Sequence, residues 1–293
     1  MTHVATLVCD PLRPALDDAL LAAAIQRLPG ARADWLDRRI AADIFFSPND
    51  IDIGAILIDL IEDRPIDIIA QPAADRRKKL LLADMDSTMI AQESVHELAD
   101  FAGKRAEIAA SAQRAVRGEV AVAPALRAGV VHFAGLPIGV FDEILTERIH
   151  LTPGAAALVR TMRAHGAYTV LVSSSFSHFA TPIAERIGFD ESAANQLLVE
   201  NGLLTGEVAE PVHDGTTKRT ILLRLRQRRG LQPVETLAVG DGANDLDMLM
   251  EAGLGVGFRP KPKLAEKVAA RLDHADLTAL LYAQGFRRDE FSI

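Results

Sequence analysis

The sequence contains a single cysteine, Cys9, no excess of basic residues and no long apolar run. One cysteine excludes an intrachain disulfide, and it also excludes a zinc site built from several thiolates. The 32 basic and 40 acidic residues give a formal net charge of −8 at pH 7. This balance argues against a general nucleic-acid binder and against a protein that binds anionic membranes, because both usually present a basic face.

No apolar run approaches the roughly 18 residues that a membrane-spanning helix needs, and the first residues, Met1–Val4, lack the pattern of a secretory signal. We therefore expect a cytoplasmic protein without a membrane or nucleic-acid partner, although a local basic pocket for a small phosphate is compatible with the composition. The length of 293 residues predicts about two domains. Hydrophobic residues at 49% and charged residues at 25% are typical of a globular protein and exclude a wholly disordered chain.

Residues 1–74 predict a small α+β domain. Segments with strand and helix patterns alternate there, in the order His3–Cys9 (strand), Ala15–Leu28 (helix), Ala31–Ser47 (strand or strand pair), Asp52–Glu62 (helix) and Ile66–Ala70 (strand). The order β-α-β-β-α-β is that of a ferredoxin-like domain. The charged run Asp75–Lys79 that follows predicts a solvated linker between domains.

Residues 75–293 predict an α/β domain with a Rossmann-like parallel sheet. Apolar or β-branched runs predict three buried core strands, at Leu80–Ala83, Tyr168–Val172 and Thr236–Val239. A helical pattern over about 90–150 predicts an all-helical cap inserted after the first of these strands. The pair Asn201-Gly202 between apolar stretches is a strong hairpin signal and predicts a small flap over about 195–210. The last residues, Phe286–Ile293, predict a polar tail.

Two acidic motifs each follow a predicted core strand. The first is Asp84-Met85-Asp86-Ser87-Thr88, at the carboxyl end of a buried strand, where open α/β sheets bind ligands. These residue types also suit a helix N-cap, so this motif alone supports a structural role equally well. The second motif, Gly240-Asp241-Gly242-Ala243-Asn244-Asp245, favours a functional role. Four acidic residues at two strand ends would repel one another without a cation among them, and an all-oxygen ligand set suits Mg²⁺ better than Zn²⁺.

Hydroxyl and ammonium groups lie between the two acidic motifs along the chain. Ser173-Ser174-Ser175 follows a predicted strand, and Lys218 lies near the start of the predicted helix Thr217–Arg229. A bound phosphate requires hydroxyl, backbone N–H and ammonium donors of this kind. A serine triplet alone usually forms a loop and a single lysine usually faces solvent. Four motifs in this order, each at a strand end or a helix start, together predict a phosphate-handling site.

The order of these motifs resembles that of the haloacid dehalogenase superfamily of phosphatases, and more closely that of its phosphoserine phosphatases. The resemblance covers about Leu80 to Asp276. It implies an Mg²⁺-dependent phosphomonoester hydrolase that acts on a small phosphorylated metabolite, most closely O-phosphoserine in serine biosynthesis, through an aspartyl-phosphate. Residues 1–74 resemble the ACT-like extension of some bacterial members, and because such domains often pair, a homodimer is one expectation.

The resemblance also implies a role for each motif residue. Asp84 would be the nucleophile, and Asp86 would act as general acid and then as general base. Mg²⁺ would be held by the side chains of Asp84 and Asp241 and by the main-chain carbonyl of Asp86. Glu93 would accept the substrate ammonium group, and Asp245 would orient Lys218 or a metal-bound water. Phosphate would be bound by Ser173, Ser174, Lys218 and Asn244.

The cap departs from the family pattern at the substrate-binding positions. Gly129 stands where the family usually has an arginine that binds the substrate carboxylate, and Arg127 would replace it only in a shifted helical register. Further departures are Val116 and Val122 in place of Met and Phe, Ser174-Ser175 in place of Gly-Gly after Ser173, and His132 at a commonly apolar position. These departures leave another small phosphate as an alternative substrate.

Two other functions are compatible with the motifs. The same catalytic core serves phosphotransfer, in which an acceptor alcohol replaces water. A non-catalytic protein that senses amino acids through its ACT-like domain is the second alternative. The complete set Asp84, Asp86, Lys218, Asp241 and Asp245 argues against it, because an inactive relative would be expected to lose at least one member.

Overall fold

The computed structural model of the chain describes residues 1–47, 53–109 and 122–292. Its N-terminal part is a four-stranded antiparallel sheet in the order β2-β3-β1-β4. The elements are β1 His3–Cys9, α1 Asp18–Arg27, β2 Arg32–Asp37, β3 Ala41–Phe46, α2 Ile53–Ile61 and β4 Ile66–Pro72. They follow the predicted β-α-β-β-α-β order, and the region predicted as one strand or two forms two. Asp17 caps α1, since its side chain accepts a 2.7 Å hydrogen bond from the backbone N–H of Leu20.

A six-stranded parallel sheet forms the core of the second part, in the order β12-β11-β10-β5-β6-β7. Its strands are β5 Leu80–Asp84, β6 Tyr168–Phe176, β7 Glu191–Asn195, β10 Thr236–Gly240, β11 Leu254–Phe258 and β12 Ala270–Leu272. Leu80 and Leu82 pack into one apolar cluster, whereas Leu81 and Ala83 pack into another. Alternate residues of β5 therefore lie on opposite faces, and the sheet is buried on both sides as the continuous apolar run predicted.

Helices connect and cover the core strands. They are α6 Ala155–Ala164, α7 Ser177–Ile187, α8 Gly215–Arg228, α9 Leu246–Glu251, α10 Pro262–Ala265 and α11 Ala279–Ala283. The predicted helices before β6 and β10 correspond to α6 and α8. The predicted α/β class with a parallel sheet is therefore confirmed. Within the described ranges, none of the helices is both long and apolar enough to span a bilayer.

The described part of the cap is helical, as predicted, and lies between β5 and α6. It contains α3 Ser94–Phe101, α4 Val122–Val130 and α5 Val140–Glu147. Val116 lies outside the described residues, and Val122 is described by its backbone alone.

The predicted flap is a hairpin of β8 Leu197–Glu200 and β9 Leu203–Val208. Asn201 and Gly202 both have positive φ, 52° and 79°, as the tight hairpin turn requires. The hairpin is joined to the cap by backbone hydrogen bonds, from Gly135 N to the Leu204 carbonyl at 2.8 Å and from Ile138 N to the Gly202 carbonyl at 3.0 Å.

Part of the linker, which was predicted to be solvated, is packed instead. In the linker, Lys78 is buried and donates at 2.9 Å to the carbonyl of Val234, and Arg76 donates at 2.6 Å to the buried Asp43. The linker prediction was wrong for these two residues because long side chains can bury their alkyl stems while the polar ends find acceptors. At the other end, Phe286 is 2% exposed, whereas Arg287, Arg288 and Asp289 after it are exposed.

The N-terminal sheet is joined to the core sheet through buried polar contacts. The carboxylate of Asp67 on β4 accepts from the backbone N–H groups of Asp273, His274 and Ala275, which follow the edge strand β12. Gln71 on the same strand donates at 2.7 Å to the carbonyl of Ala283. Because these contacts satisfy backbone groups away from water, they fix the position of one sheet against the other.

Candidate active site

The candidate active site lies at the carboxyl ends of the neighbouring strands β5 and β10. Asp84 is the last residue of β5, and Asp241 directly follows β10. In this parallel pair Ala83 stands beside Val239, so the two acidic motifs meet at one edge of the sheet, as predicted. Carboxylate oxygens of Asp84, Asp241 and Asp245 all lie within 4.8 Å of one another, and all three residues are buried.

Lys218 is the buried cation among these carboxylates. It lies in the first turn of α8, which Asp214 caps by accepting from the backbone N–H of Thr216 at 3.0 Å. Its ammonium donates to Oδ1 of Asp84 and, at 2.7 Å, to Oδ1 of Asp245. Burial alone would lower the pKa of Lys218, but the two carboxylates raise it above its ordinary value. The lysine therefore stays charged.

Both carboxylate oxygens of Asp245 accept hydrogen bonds from other groups of the protein. Its Oδ2 accepts from the backbone N–H of Asp241 at 3.1 Å and from that of Gly242 at 3.0 Å, while Oδ1 accepts from Lys218. A Cβ atom on Gly240 would lie 2.4 Å from the Asp245 carboxyl carbon, so only glycine leaves room for this close approach. These contacts favour the role of orienting Lys218 over contact with a metal-bound water.

Asp84 is buried next to both a carboxylate and an ammonium group. Burial raises its pKa well above the ordinary value, and the nearby Asp245 carboxylate raises it further, whereas the Lys218 ammonium opposes both. Since Lys218 occupies Oδ1, Oδ2 is the oxygen available for reaction.

Asp86 lies in the turn Met85–Met89 that follows β5. Its Oδ1 accepts a 2.6 Å hydrogen bond from the backbone N–H of Ser94, and its Oδ2 accepts one of 3.3 Å from the Ser173 hydroxyl. Burial raises the pKa of Asp86 to about 6, although the hydrogen bonds from Ser94 oppose the shift. A carboxyl group with this pKa can both give and take a proton near neutral pH.

The serine triplet forms the end of β6 beside Asp86. The Ser173 hydroxyl accepts from the backbone N–H of Ser175 at 3.0 Å. The Ser174 hydroxyl is buried and has no hydrogen-bond partner in the described part of the chain. Asn195 holds this segment, since its Nδ2 donates to the carbonyls of Ser174, at 2.8 Å, and His213, at 3.1 Å. A buried hydroxyl without a partner fits a site that receives a ligand.

Lys261 is a site residue that the sequence reasoning missed. Its ammonium lies 2.7 Å from Oε1 of Glu93 and 3.0 Å from Oδ2 of Asp241, and its backbone N–H donates at 2.8 Å to the Asp241 carbonyl. The segment Lys261-Pro262-Lys263 suggests an ordinary charged surface. Recognition of β11 as a strand beside β10 would have indicated the site, because its loop must then lie next to Asp241.

Glu93 is hydrogen-bonded to other residues of the site, whereas the Asn244 side chain is not. Glu93 accepts from Lys261 and, at 3.0 Å, from the Ser87 hydroxyl. Burial would raise the pKa of Glu93, but the hydrogen bond and charge of Lys261 lower it below the ordinary value. Asn244 is exposed in the turn Ala243–Asp245 that follows β10, and its side chain makes no hydrogen bond to another described residue.

The divergent cap positions do not provide a replacement arginine within the described residues. A Cβ atom on Gly129 would face the side chain of Ile108 at 3.9 Å. Arg127 is engaged elsewhere, since its Nε donates at 2.9 Å to Glu210 beside the flap. His132 is exposed.

The donor set at this site fits a hard divalent cation. Three buried carboxylates lie together. Asp245 is engaged by Lys218 and by two backbone N–H groups, so Asp84 and Asp241 are the members of the cluster that can offer oxygens to an ion. Oxygen ligands of this kind suit Mg²⁺. The Asp86 side chain is not part of the cluster, because Ser94 and Ser173 occupy it.

Comparisons with known proteins agree with this geometry. A family model described as haloacid dehalogenase-like hydrolase matches residues 81–250, which is more than half of the chain. The phosphoserine phosphatase of Albidiferax ferrireducens is 40% identical over 208 residues, which cover 69% of this chain and 88% of that protein. The chain belongs to the haloacid dehalogenase-like hydrolase family. The resemblance to its phosphoserine phosphatases is likewise confirmed.

Other members of the family match over different lengths. The phosphoserine phosphatase SerB2 of Mycobacterium tuberculosis is 39% identical over 215 residues, which is 73% of this chain but only 52% of that protein. The chain therefore spans about half the length of this relative.

Two solved structures of family members are informative. A phosphoserine phosphatase solved as an analogue of the phospho-aspartyl intermediate is 34% identical, covers 70% of this chain and 98% of its own, and has a TM-score of 0.64. A haloacid dehalogenase family hydrolase of Salmonella enterica serovar Typhi, at 23% identity, covers 96% of this chain and 98% of its own with a TM-score of 0.83. The second likeness extends the shared fold over nearly the whole chain, including the N-terminal sheet.

Proposed function

We propose that this family member hydrolyses O-phosphoserine, or a closely similar phosphomonoester, through an aspartyl-phosphate on Asp84. One observation carries the proposal: a buried carboxylate at a strand end is held by a buried ammonium group and lies two residues from a second acid with a pKa near 6. The curated relatives and the solved intermediate analogue, all named phosphoserine phosphatases, support this substrate.

In the first step, Oδ2 of Asp84 attacks phosphorus and the bond from phosphorus to the ester oxygen breaks. Asp86 gives its proton to the departing alkoxide, which leaves as the alcohol. Lys218 offsets the negative charge of the phosphoryl oxygens, the main requirement of this reaction class. The products of this step are the aspartyl-phosphate, serine and an ionised Asp86.

In the second step, Asp86 takes a proton from a water molecule as that water attacks phosphorus. The bond from phosphorus to Asp84 breaks, so inorganic phosphate is released and the Asp84 carboxylate is regenerated. Dividing one displacement into two steps in this way lowers each barrier. The donors that we assign to phosphate are Ser173, which also donates to Asp86, Ser174, whose buried hydroxyl has no partner among the described residues, and Asn244.

We assign the metal to Mg²⁺, with Asp84, Asp241 and the main-chain carbonyl of Asp86 as ligands. When bound, the ion would supply positive charge to the phosphoryl group and offset repulsion between Asp84 and the incoming phosphate.

We further propose an ACT-like domain in residues 1–74, a phosphatase domain in 75–293, a cytoplasmic location and pairing of two chains. Light scattering on the purified protein tests the pairing, and a monomer mass would exclude it.

The test is phosphate release from O-phospho-L-serine, phosphothreonine, phosphoethanolamine, sugar phosphates and an aryl phosphate, with and without Mg²⁺. Asp84→Asn should abolish release, whereas Asp247→Asn, at an exposed position of α9, should not affect it. Acid-labile phosphate bound to the protein would mark the intermediate. Release that is unchanged in Asp84→Asn, or absent for every compound, would overturn the proposal.

A further inference from the structure

A pocket of about 300 Å³ adjoins the catalytic carboxylates. Asp241 and Ser87 belong to its lining, and so do two cationic residues, Arg259 and Lys261. A volume of this size suits the organic part of a small phosphomonoester rather than a large ligand. The pocket therefore has the position and the size to receive the alcohol part of the phosphomonoester, which is the leaving group of the reaction.

The cations at this end of the sheet differ in how they are neutralised. Lys218 is bound by Asp84 and Asp245. Lys261 is bound by Glu93 and Asp241. Arg259 has no carboxylate at ion-pair distance anywhere in residues 1–47, 53–109 or 122–292; its nearest aromatic contact is the ring of Phe258, 5.1 Å from the guanidinium carbon. Arg259 is the cation of this pocket that remains available to a ligand.

The backbone of Arg259 is fixed in an uncommon conformation. Its φ is +42°, in the left-handed region that arginine rarely adopts. A 2.7 Å hydrogen bond from its N–H to the carbonyl of Leu272 ties it to β12, and the ring of the next residue, Pro260, fixes the φ angle there. The side chain therefore leaves the backbone from a defined point at the pocket wall, despite an unfavourable local conformation.

We propose that Arg259 binds a second anionic group of the substrate, a carboxylate on the carbon chain of the phosphomonoester. The assignment rests on the proposed function, because the phosphate must lie at Asp84 for the pocket to receive the rest of the molecule. A guanidinium matches a carboxylate with two parallel hydrogen bonds. Gly129 has no side chain to offer, and the guanidinium of Arg127 is held by Glu210.

The experiment measures binding in a protein that cannot turn over, so that it does not depend on catalysis. Asp84→Asn is titrated calorimetrically in Mg²⁺ with O-phospho-L-serine and with phosphoethanolamine, which lacks the carboxylate. The same titrations follow with Arg259→Asn added, since asparagine tolerates a left-handed φ, and with Arg259→Lys. Arg127→Gln is the matched control, and thermal unfolding checks that each variant folds.

We expect Arg259→Asn to weaken phosphoserine binding about ten- to hundredfold, as the loss of a charge-assisted pair implies, and to change phosphoethanolamine binding less than twofold. Arg259→Lys should recover part of the loss, and Arg127→Gln should lose nothing. Equal losses for both ligands, no loss, or a loss that appears instead in Arg127→Gln would overturn the assignment. A protein that binds phosphoserine through Arg259 but releases no phosphate would refute the proposed hydrolysis alone.

Discussion

The Asp245 carboxylate lies 2.7 Å from the ammonium nitrogen of Lys218, and the two side chains are 0% and 3% exposed. Backbone N–H groups of Asp241 and Gly242 hold the second oxygen of Asp245. The acid is thus fixed by the main chain, and it in turn fixes a lysine that would otherwise have several rotatable bonds. Lys218 is thereby directed at Asp84.

Replacing Asp245 by asparagine should therefore impair both activity and stability. The amide would present N–H donors or a weaker acceptor to the ammonium group, leaving Lys218 and Asp84 incompletely paired in the interior. We expect kcat to fall by about 10²–10³-fold and the free energy of unfolding to fall by about 3–5 kcal/mol. Urea unfolding and phosphate release measure the two effects. Asp247→Asn is the control, and an Asp245→Asn enzyme with unchanged kcat would refute the positioning role.

The pKa of Asp86 near 6 predicts a pH dependence for the first step. Asp86 must be protonated to donate to the alkoxide, so kcat/KM for phosphoserine should fall about tenfold for each pH unit above the pKa. An aryl phosphate, whose leaving group needs little protonation, should not show this decline. In Asp86→Asn the decline should disappear, while any effect of the substrate's own ionisation remains. A decline that persists unchanged in the variant would assign it to another group.

Lys261 and a divalent cation both approach Asp241, so they should oppose each other. Removal of the ammonium that lies 3.0 Å from Asp241 Oδ2 should tighten Mg²⁺ binding in Lys261→Met, because like charges repel at short range. Asp241→Asn should weaken Mg²⁺ binding at least tenfold, since a charged ligand is lost. Calorimetric titration with Mg²⁺ measures both, with the exposed Lys263→Met as control. Weaker binding in Lys261→Met would show that the lysine supports the metal site.

The Asp43–Arg76 pair should contribute far more to stability than a surface pair of the same length. Asp43 has a side chain only 1% exposed and accepts from Arg76 at 2.6 Å and from the Thr6 hydroxyl at 2.7 Å. Asp43→Ala would leave Arg76 without its carboxylate, so we expect a loss of about 3–5 kcal/mol. Asp59→Ala, which removes an exposed partner of Arg27, should cost less than about 1 kcal/mol. Similar values for both variants in urea unfolding would contradict this ranking.

The predicted strands and catalytic motifs share one physical origin. The continuous apolar run before Asp84 is typical of a strand buried on both faces, so it predicted both β5 and the strand end at which Asp84 and Asp86 lie. The hairpin followed from Asn201-Gly202, since that pair tolerates the two positive φ angles of the turn. In each case the information was local to a few residues.

The features that escaped prediction depend on contacts between distant segments. Strand β12 has only three residues and β11 contains two glycines, so neither shows a strong strand pattern. Without β11, the loop that carries Arg259 and Lys261 could not be placed beside Asp241. The acceptors of Lys78 and Arg76 were likewise invisible, because Val234 and Asp43 lie far from the linker in the sequence.

The carboxylate of Asp67 has a consequence for exchanging one N-terminal domain for another. It is the acceptor for three successive backbone N–H groups after β12, and the carbonyl of Leu272 in that strand accepts from Arg259. A foreign domain grafted before residue 75 would leave those donors without an acceptor unless it presented an acid at the same place. The N-terminal sheet therefore supports the edge of the core sheet, and a chimaera without that acid would loosen the loop that carries Arg259.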